Sequence, residues 1–279
     1  MPAHPKISIV TPSYNQGQFL EETIRSVLDQ NYPNLEYIII DGSSNDASVD
    51  IIRRYANRLS YWVSEKDAGQ ADAINKGFRR STGDIMTWLN SDDLLCPGAL
   101  RAAAGFFEAH GDCGAVIGDL ELIGARGQHL GFKKSIPVCY WSMLYSMCAV
   151  PQPATFFTNG AWLRTGELDA TLLYQMDAEF FLRMKRNGVR FGTLKVPVAR
   201  ARLHKQNKTV SQYHQTFWAF NRAIQDRYLG ITRRGFVRRT YMGAMNWVAR
   251  AHQYAVRAFT RGCWVPFTGT RARRHAASA

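Results

Sequence analysis

The sequence lacks the features that mark several common classes of protein. No apolar run approaches the roughly 20 residues that a membrane-spanning helix needs. The first residues lead into a strand-like segment without the apolar core of a signal peptide, so secretion is not indicated. The five cysteines are scattered and form no CxxC pair, which argues against a disulfide framework and a cysteine-rich zinc site. We therefore expect a cytoplasmic protein.

Acidic residues are missing from the carboxyl-terminal end of the chain. Residues 231–279 contain ten arginines but no acid and no lysine, so 10 of the 13 net positive charges lie there. Aromatic residues are interleaved with these arginines, a composition that suits an anionic membrane surface. The same composition is compatible with a solvated tail, or with nucleic acid or a protein as partner. We predict a basic extension on the inner face of the cell membrane, and nucleic acid is the less favoured partner.

Two common nucleotide-binding motifs are also absent. The chain has no GxxxxGK[ST] sequence, which excludes a P-loop, and no GxGxxG sequence follows the first predicted strand. Any nucleotide must therefore be bound by another arrangement of residues.

Strand-like and helix-like patterns alternate through the first hundred residues. Short apolar runs begin at Ile7, Leu35, Leu59 and Ile85, and segments with helical apolar spacing separate them. This alternation predicts βαβ units and a mostly parallel sheet flanked by helices. For the second half the patterns predict helices at 100–109, 177–186 and 209–228, and strands at 115–123, 156–157, 189–196 and 198–203, the last two split by Pro197.

Polar and acidic side chains follow each of the first four predicted strands. Asp41 follows the second strand, Asp67 the third, and Asp92 and Asp93 the fourth. In an open parallel sheet the carboxyl ends of the strands meet at one crevice, where ligands bind. A cluster of carboxylates is unfavourable unless a cation compensates it, and Mg²⁺ is commonly held by one or two carboxylates together with substrate phosphates. The pattern predicts a metal-assisted phosphate site.

Five segments of this chain together resemble the family 2 glycosyltransferases. They are Ile7–Asn15 (ISIVTPSYN), Ser26–Gln30 (SVLDQ), Tyr37–Asp46 (YIIIDGSSND), Ser64–Gly77 (SEKDAGQADAINKG) and Trp88–Asp93 (WLNSDD). The resemblance covers roughly residues 5–210. It implies an α/β protein of the GT-A fold, with a Rossmann-like, mostly parallel sheet. The glycosyltransferase domain would span residues 1–230, with a donor-binding half at about 5–120 and an acceptor half at about 121–210. Residues 231–279 would form a helical basic extension.

The resemblance also implies roles for individual residues. Asp177 would be the catalytic base, with Glu179 as the competing candidate. Asp92, Asp93 and His204 would hold Mn²⁺ or Mg²⁺ against the diphosphate. The nucleotide-sugar-binding residues would be Thr11, Pro12, Tyr14, Asp41, Asp67, Gly69, Gln70, Asp72, Asn75, Lys76, Asn90, Ser91, Asp92 and Lys208. The chain departs from the family pattern at Asn90, where many members have aspartate, and at Ile74, where many have arginine.

The implied reaction is the metal-dependent transfer of a hexose-type sugar from a nucleotide sugar. A single base acting opposite the leaving group inverts the anomeric carbon, and the resemblance favours UDP as the nucleotide. The acceptor would be a hydroxyl of a glycan or of a lipid-linked molecule, in the synthesis of a cell-surface polysaccharide or glycolipid. Two alternatives stay open: a sugar nucleotidyltransferase, and a non-catalytic module that binds membranes or nucleic acid.

Overall fold

The fold is described by a computed structural model that covers residues 4–146, 150–204, 216–229, 243–249, 251 and 255. Nine strands within these residues form one sheet with the order β3-β2-β1-β4-β8-β6-β9-β5, and β7 pairs with β6 outside this path. The strands are β1 Ile7–Ser13, β2 Leu35–Asp41, β3 Tyr61–Ser64, β4 Ile85–Trp88, β5 Leu94–Leu95, β6 Ala115–Gly124, β7 His129–Lys133, β8 Thr155–Thr158 and β9 Phe191–Leu203.

Helices pack on both faces of this sheet. They are α1 Gly17–Leu28, α2 Ser48–Tyr55, α3 Gln70–Arg80, α4 Ala99–Ala109, α5 Tyr140–Ser146, α6 Asn159–Thr165, α7 Met176–Arg186 and α8 Thr216–Leu229. Apolar side chains of α1, α2 and α4 form one core cluster with the sheet. Those of α3, α5, α6, α7 and α8 form the other. The result is a three-layer α/β sandwich.

The amino-terminal half of the sheet is parallel, as the βα alternation predicts. Strand β1 pairs with β2, where Ile7 lies opposite Leu35, and with β4, where Ile7 lies opposite Ile85. All seven residues of β1 are buried. A nearly continuous apolar run is typical of a parallel strand covered by helices on both faces. The carboxyl ends of these strands therefore meet at one edge.

The second half of the sheet departs from the predicted pattern. Strands β4 and β6 both pair antiparallel with β8, whereas β6 and β9 run in parallel. The two strands predicted on either side of Pro197 are one strand, β9, and that prediction was wrong. Pro197 lies opposite Asp119, where the register with β6 shifts, so its missing N–H falls at an irregularity of the ladder. Helices α5 and α6 and strand β7 were not predicted.

Two carboxyl-terminal segments pack against the main body. In α8, Gln225 Nε2 donates hydrogen bonds to the Leu144 carbonyl of α5 (3.0 Å) and to Asn246 Oδ1 (3.4 Å). Residues 243–249 are helical, and Ala249 is buried. Residues 209–215 of the predicted helix and most of 231–279 lie outside the described residues. Within the described part of the chain, no helix has the length and apolar character needed to cross a bilayer.

Candidate functional site

One cleft of about 990 Å³ opens at the carboxyl ends of the parallel strands. The predicted site residues that line it are Pro12, Tyr14, Asp67, Gly69, Gln70, Asn90, Ser91, Asp92, Asp93 and Asp177. The predicted residues that do not line it are Thr11, Asp41, Asp72, Asn75, Lys76, Glu179 and His204. Lys208 lies outside the described residues. The acidic strand ends and the start of α7 therefore share one cavity, although about 85 residues separate Asp92 from Asp177 in the sequence.

The loop after β4 carries the acidic pair. His204, which follows β9, places Nε2 3.0 Å from Asp92 Oδ2. The His204 side chain is almost fully buried, and its ring lies 4.7 Å from the ring of Phe19 on α1. Packing against Phe19 keeps the imidazole oriented toward Asp92, so the side chains of His204 and Asp92 lie next to each other.

Asp93 has a different environment from its neighbour. It is buried, and its Oδ1 accepts a hydrogen bond from the Arg202 backbone N–H (3.1 Å) while its Oδ2 accepts one from Asn90 Nδ2 (3.3 Å). Burial, reinforced by the nearby Asp92 charge, raises the pKa of the Asp93 carboxyl well above its ordinary value. Because both oxygens already have protein partners, Asp93 supports the loop, whereas Asp92 and His204 carry the donor atoms suited to a cation.

The donor atoms of this loop fit a hard divalent cation that also binds phosphate. Among the described residues, no group of three or more His, Cys, Asp or Glu side chains forms a complete protein cage. Mg²⁺, however, usually takes only one or two carboxylates together with substrate phosphates, at ~2.1 Å in octahedral geometry. Asp92, whose Oδ2 lies 3.0 Å from His204 Nε2, and His204 are the residues that would hold such a cation.

Asp41 shapes the cleft floor from within the protein. The carboxylate is fully buried, and it accepts hydrogen bonds from Ser13 Oγ (3.0 Å), Ser44 N (2.9 Å), Ser44 Oγ (2.6 Å) and Ser64 Oγ (2.7 Å). Ser13 and Ser64 end β1 and β3, so Asp41 ties three parallel strand ends together. The structure therefore does not bring the Asp41 carboxylate to the cleft surface. Thr11 is also buried, in β1, where its hydroxyl lies 3.1 Å from the Tyr37 hydroxyl.

Above this floor, Tyr14 and Asp67 form an open edge of the cleft. The Tyr14 side chain is 63% exposed. Asp67 Oδ1 accepts a hydrogen bond from the Gly69 backbone N–H (2.8 Å). A Cβ atom at Gly42 would lie only 2.7 Å from Asp67 Oδ2 and 3.3 Å from the Tyr14 ring. A side chain at position 42 would therefore displace the Asp67 carboxylate from its position beside the Tyr14 ring.

Only the first turn of α3 reaches the cleft. Asn75 is buried and exchanges two hydrogen bonds with the Leu168 backbone, at 2.8 and 2.9 Å. Lys76 forms ion pairs with Glu65 (2.9 Å) and Asp72 (3.6 Å). These side chains join α3 to its neighbouring loops and do not contribute to the cleft surface.

Asp177 and Glu179 lie two residues apart but have separate surroundings. Asp177 is half-buried in the first turn of α7 and lines the cleft. Burial raises the pKa of its carboxyl, and hydrogen bonds from the backbone N–H groups of Ala178 and Asp177 oppose part of that rise, as does, to a smaller extent, the positive charge of Lys133 on the same cleft. Glu179 points away from the cleft, where it accepts two hydrogen bonds from the Arg183 guanidinium (both 3.0 Å) and one from the Tyr228 hydroxyl (2.6 Å). Glu179 thus joins α7 to α8.

Three further residues support the site without having been predicted from the sequence. Arg202 is buried and donates hydrogen bonds to the Asp92 carbonyl (3.1 Å) and to Glu22 (2.5 Å). Gln152 contacts Asn90, and Lys133 faces Asp177. Each reaches the site from a strand or turn in the second half of the chain, where the sequence pattern did not predict which residues lie at the cleft.

The chain is similar to known proteins of one family. The model of glycosyl transferase family 2 matches residues 8–154. An uncharacterized glycosyltransferase of Mycobacterium tuberculosis is 30% identical over 190 residues, which are 66% of this chain and 70% of that protein. The Bacillus subtilis protein TuaG, named for teichuronic acid biosynthesis, is 40% identical over 92 residues, 32% of this chain and 36% of its own length.

Solved structures with the same fold confirm the predicted fold class. Residues 1–349 of S. aureus TarS, solved with UDP-GlcNAc, align with a TM-score of 0.67 at 18% identity, covering 97% of this chain and 79% of that one. The mannosyltransferase PcManGT of Pyrobaculum calidifontis, solved with GDP-Man and Mn²⁺, aligns with a TM-score of 0.60 at 18% identity, covering 99% and 80%. At this identity the likeness establishes the fold alone.

Proposed function

Because the chain belongs to glycosyl transferase family 2 and is a glycosyltransferase, we propose that it moves a sugar from a nucleoside diphosphate sugar to an acceptor hydroxyl with inversion at the anomeric carbon. The observation that carries this proposal is the convergence of Asp92, which is contacted from behind the cleft wall by His204, and of Asp177 on one cleft. Residues 5–120 supply most of the donor-binding side of that cleft, and residues 121–210 supply most of the acceptor side.

The nucleotide lies at the open edge formed by Tyr14, Gly42 and Asp67. An exposed aromatic ring suits stacking against a base, and the Asp67 carboxylate is an acceptor for N–H groups. We favour UDP as the nucleotide, and the TarS structure with UDP-GlcNAc provides a precedent on this fold. Asp41 acts indirectly, by fixing the strand ends beneath the base.

Mn²⁺ or Mg²⁺ would be held at this site by Asp92 and His204 together with the diphosphate oxygens. Bound there, the cation supplies electrostatic stabilisation of the negative charge that develops on the leaving diphosphate. Arg202 and Asp93 keep the loop in place from below. The cleft also carries Lys66, whose ammonium adds positive charge to the donor side.

Asp177 accepts the proton of the acceptor hydroxyl as that oxygen attacks the anomeric carbon. A carboxylate with a raised pKa is a stronger base than an exposed aspartate. Apolar side chains near Asp177, such as the exposed Leu173, line the acceptor side of the cleft. We propose a glycan or lipid-linked acceptor, used in cell-surface polysaccharide or glycolipid synthesis, in line with the name of TuaG.

Donor binding provides the direct test of this function. The full chain is heated with UDP-GlcNAc, other UDP-sugars and GDP-mannose, each with and without Mn²⁺. We expect one nucleotide class to raise the unfolding midpoint only when Mn²⁺ is present, because ligand at 100 times its Kd stabilises the folded state by about 2.7 kcal/mol. No shift with any nucleotide sugar would contradict the proposed function.

The rate of transfer should depend on pH through Asp177. A base must be deprotonated, so kcat/KM should be constant above the raised pKa of Asp177 and fall about tenfold per pH unit below it. Replacing Lys133 by methionine removes a charge that lowers this pKa, so the acid limb should move to higher pH. The measurement is kcat/KM over about pH 4 to 9 for both proteins, and an unmoved acid limb in Lys133→Met would contradict the assignment.

We also propose that residues 231–279 bind the anionic inner face of the cell membrane. Ten arginines supply the charge. Trp247, in the helical segment 243–249, has 72% of its side chain exposed, and Val248 beside it is half exposed. Exposed tryptophan and arginine together favour the headgroup region of a bilayer. Nucleic acid is the less favoured partner.

Replacing all ten arginines of residues 231–279 by glutamine should reduce binding to anionic vesicles at least tenfold. Each basic residue near such a surface contributes about 1 kcal/mol, which salt screens. Substitution is preferred to deletion because residues 243–249 pack on the body. The measurement is cosedimentation with phosphatidylglycerol-containing vesicles, with pure phosphatidylcholine vesicles as control. Equal binding of both proteins to the anionic vesicles would contradict the proposal, as would a preference of the parent chain for RNA over lipid.

A further inference from the structure

From the hydrogen bonds around the acidic loop, we infer that Gln152 is a positioning residue which, acting through Asn90, sets the orientation of the loop that carries Asp92. Gln152 begins a single turn of 3-10 helix, Gln152–Ala154, between Pro151 and Pro153. It is 6% exposed and lies at the base of the cleft. The inference rests on the proposed function, because it assigns a role toward the same nucleotide and cation.

Three side-chain amides form a continuous chain of hydrogen bonds across the cleft base. Gln152 Nε2 donates to the Trp88 carbonyl at the end of β4 (2.7 Å). Gln152 Oε1 accepts from Asn90 Nδ2 (3.2 Å). Asn90 Oδ1 accepts in turn from Gln70 Nε2 on the first turn of α3 (2.8 Å). The chain therefore connects the turn after residue 150, the loop after β4 and helix α3.

The backbone carbonyl of Trp88 fixes the direction of this chain, since a carbonyl oxygen can only accept. Gln152 must turn its Nε2 toward Trp88 and must therefore present Oε1 to residue 90. Residue 90 must therefore donate a hydrogen bond to Gln152 Oε1. Asparagine does so, and its amide also donates to Asp93 Oδ2 (3.3 Å). An aspartate has no N–H, and when ionised it would place a carboxylate oxygen against Gln152 Oε1, which is also an acceptor.

The need for a donor at position 90 accounts for the asparagine found there. Asn90 has all of its side-chain groups engaged, with Gln70, Gln152 and Asp93, so it orders the loop and is not available as a ligand in this arrangement. Asp92, two residues later, is then held where it meets His204. Removing a side chain that orients a metal ligand commonly lowers metal affinity or activity 10- to 100-fold.

Restoring the aspartate found in many family members should therefore impair this protein. In Asn90→Asp and in Gln152→Met, we expect the Kd for UDP in the presence of Mn²⁺ to rise about tenfold or more. The KM for the donor should rise with it, while kcat changes less. Gln225→Met is the matched control, since Gln225 is a buried amide that also bridges a backbone carbonyl and an asparagine but is not among the residues that line the cleft.

The probe is UDP titrated calorimetrically into the full-length chain at saturating Mn²⁺, with unfolding midpoints measured in parallel. Gln152→Met and the Gln225→Met control should lower the midpoint by similar amounts, but only the former should weaken UDP binding. In the Asn90→Ala background, Gln152→Met should add little further loss, because both act through one contact. Unchanged or tighter UDP binding in Asn90→Asp, or additive losses in the double variant, would overturn the inference. Failure of the parent chain to bind UDP with Mn²⁺ would instead overturn the proposed donor.

Discussion

Replacing Asp177 by asparagine should lower the rate of sugar transfer about 10³-fold while leaving donor binding almost unchanged. General base catalysis by a positioned side chain typically contributes 10²- to 10⁴-fold, and asparagine keeps the size of the side chain but cannot accept the proton. Asp177 has the raised pKa, the partial burial and the place on the cleft that this role requires. The stability of the fold should not fall, because the substitution removes a desolvated charge.

Transfer is measured as release of UDP from the donor in the presence of a cell-surface glycan extract, and donor affinity is measured separately by calorimetry. Glu179→Gln is the informative comparison because Glu179 lies on the same turn of α7 but faces Arg183 and Tyr228. That variant should unfold at a lower temperature, since breaking a buried ion pair costs about 3 kcal/mol or more, yet retain kcat per folded molecule. Loss of kcat in Glu179→Gln, with full kcat in Asp177→Asn, would reverse the assignment of the base.

The contrast between these two carboxylates shows where sequence reasoning ends. Asp177 and Glu179 are both acids in the first turn of one helix, and their spacing alone does not decide which faces the cleft. The decision comes from Tyr228, on a helix about 50 residues further along the chain, and from Arg183, which also donates to the Thr165 carbonyl. Contacts with residues this far apart in the chain cannot be predicted from the local pattern of the sequence.

The two halves of the fold also differ in how much of them could be predicted from local sequence patterns. The parallel strands β1 to β4 follow from regular apolar runs and from the helical spacing between them, and the structure confirms them. Strand β7 is short and largely exposed, and β9 runs through Pro197, so neither has the continuous apolar pattern of β1. Asp41 shows the limit at a single residue: its position at a strand end was predictable, but three serines from separate segments occupy its oxygens.

Replacing Asp92 by asparagine should reduce kcat/KM about 10³-fold and should also remove the dependence of UDP binding on Mn²⁺. In the proposed site this carboxylate would supply the negative charge that a cation on the diphosphate requires, whereas asparagine keeps the shape and one oxygen but no charge. His204 Nε2, 3.0 Å away, would then have a neutral partner, and the imidazole alone would not hold the ion. Electrostatic stabilisation of a leaving group commonly accounts for 10²- to 10³-fold per group removed.

A control variant shows whether the loss comes from a ligand of the cation or from removing any one acidic side chain of the surface. Asp50→Asn is the matched control, since it removes one carboxylate from the exposed face of α2, where its partner is Arg53. Its kcat/KM and its Mn²⁺ response should equal those of the parent chain. Asp92→Asn combined with His204→Gln should be little worse than Asp92→Asn alone, because two ligands of one ion lose their function together. Separate, additive losses would mean that the two side chains act at different places, and the shared cation site would then be wrong even if the sugar transfer itself is right.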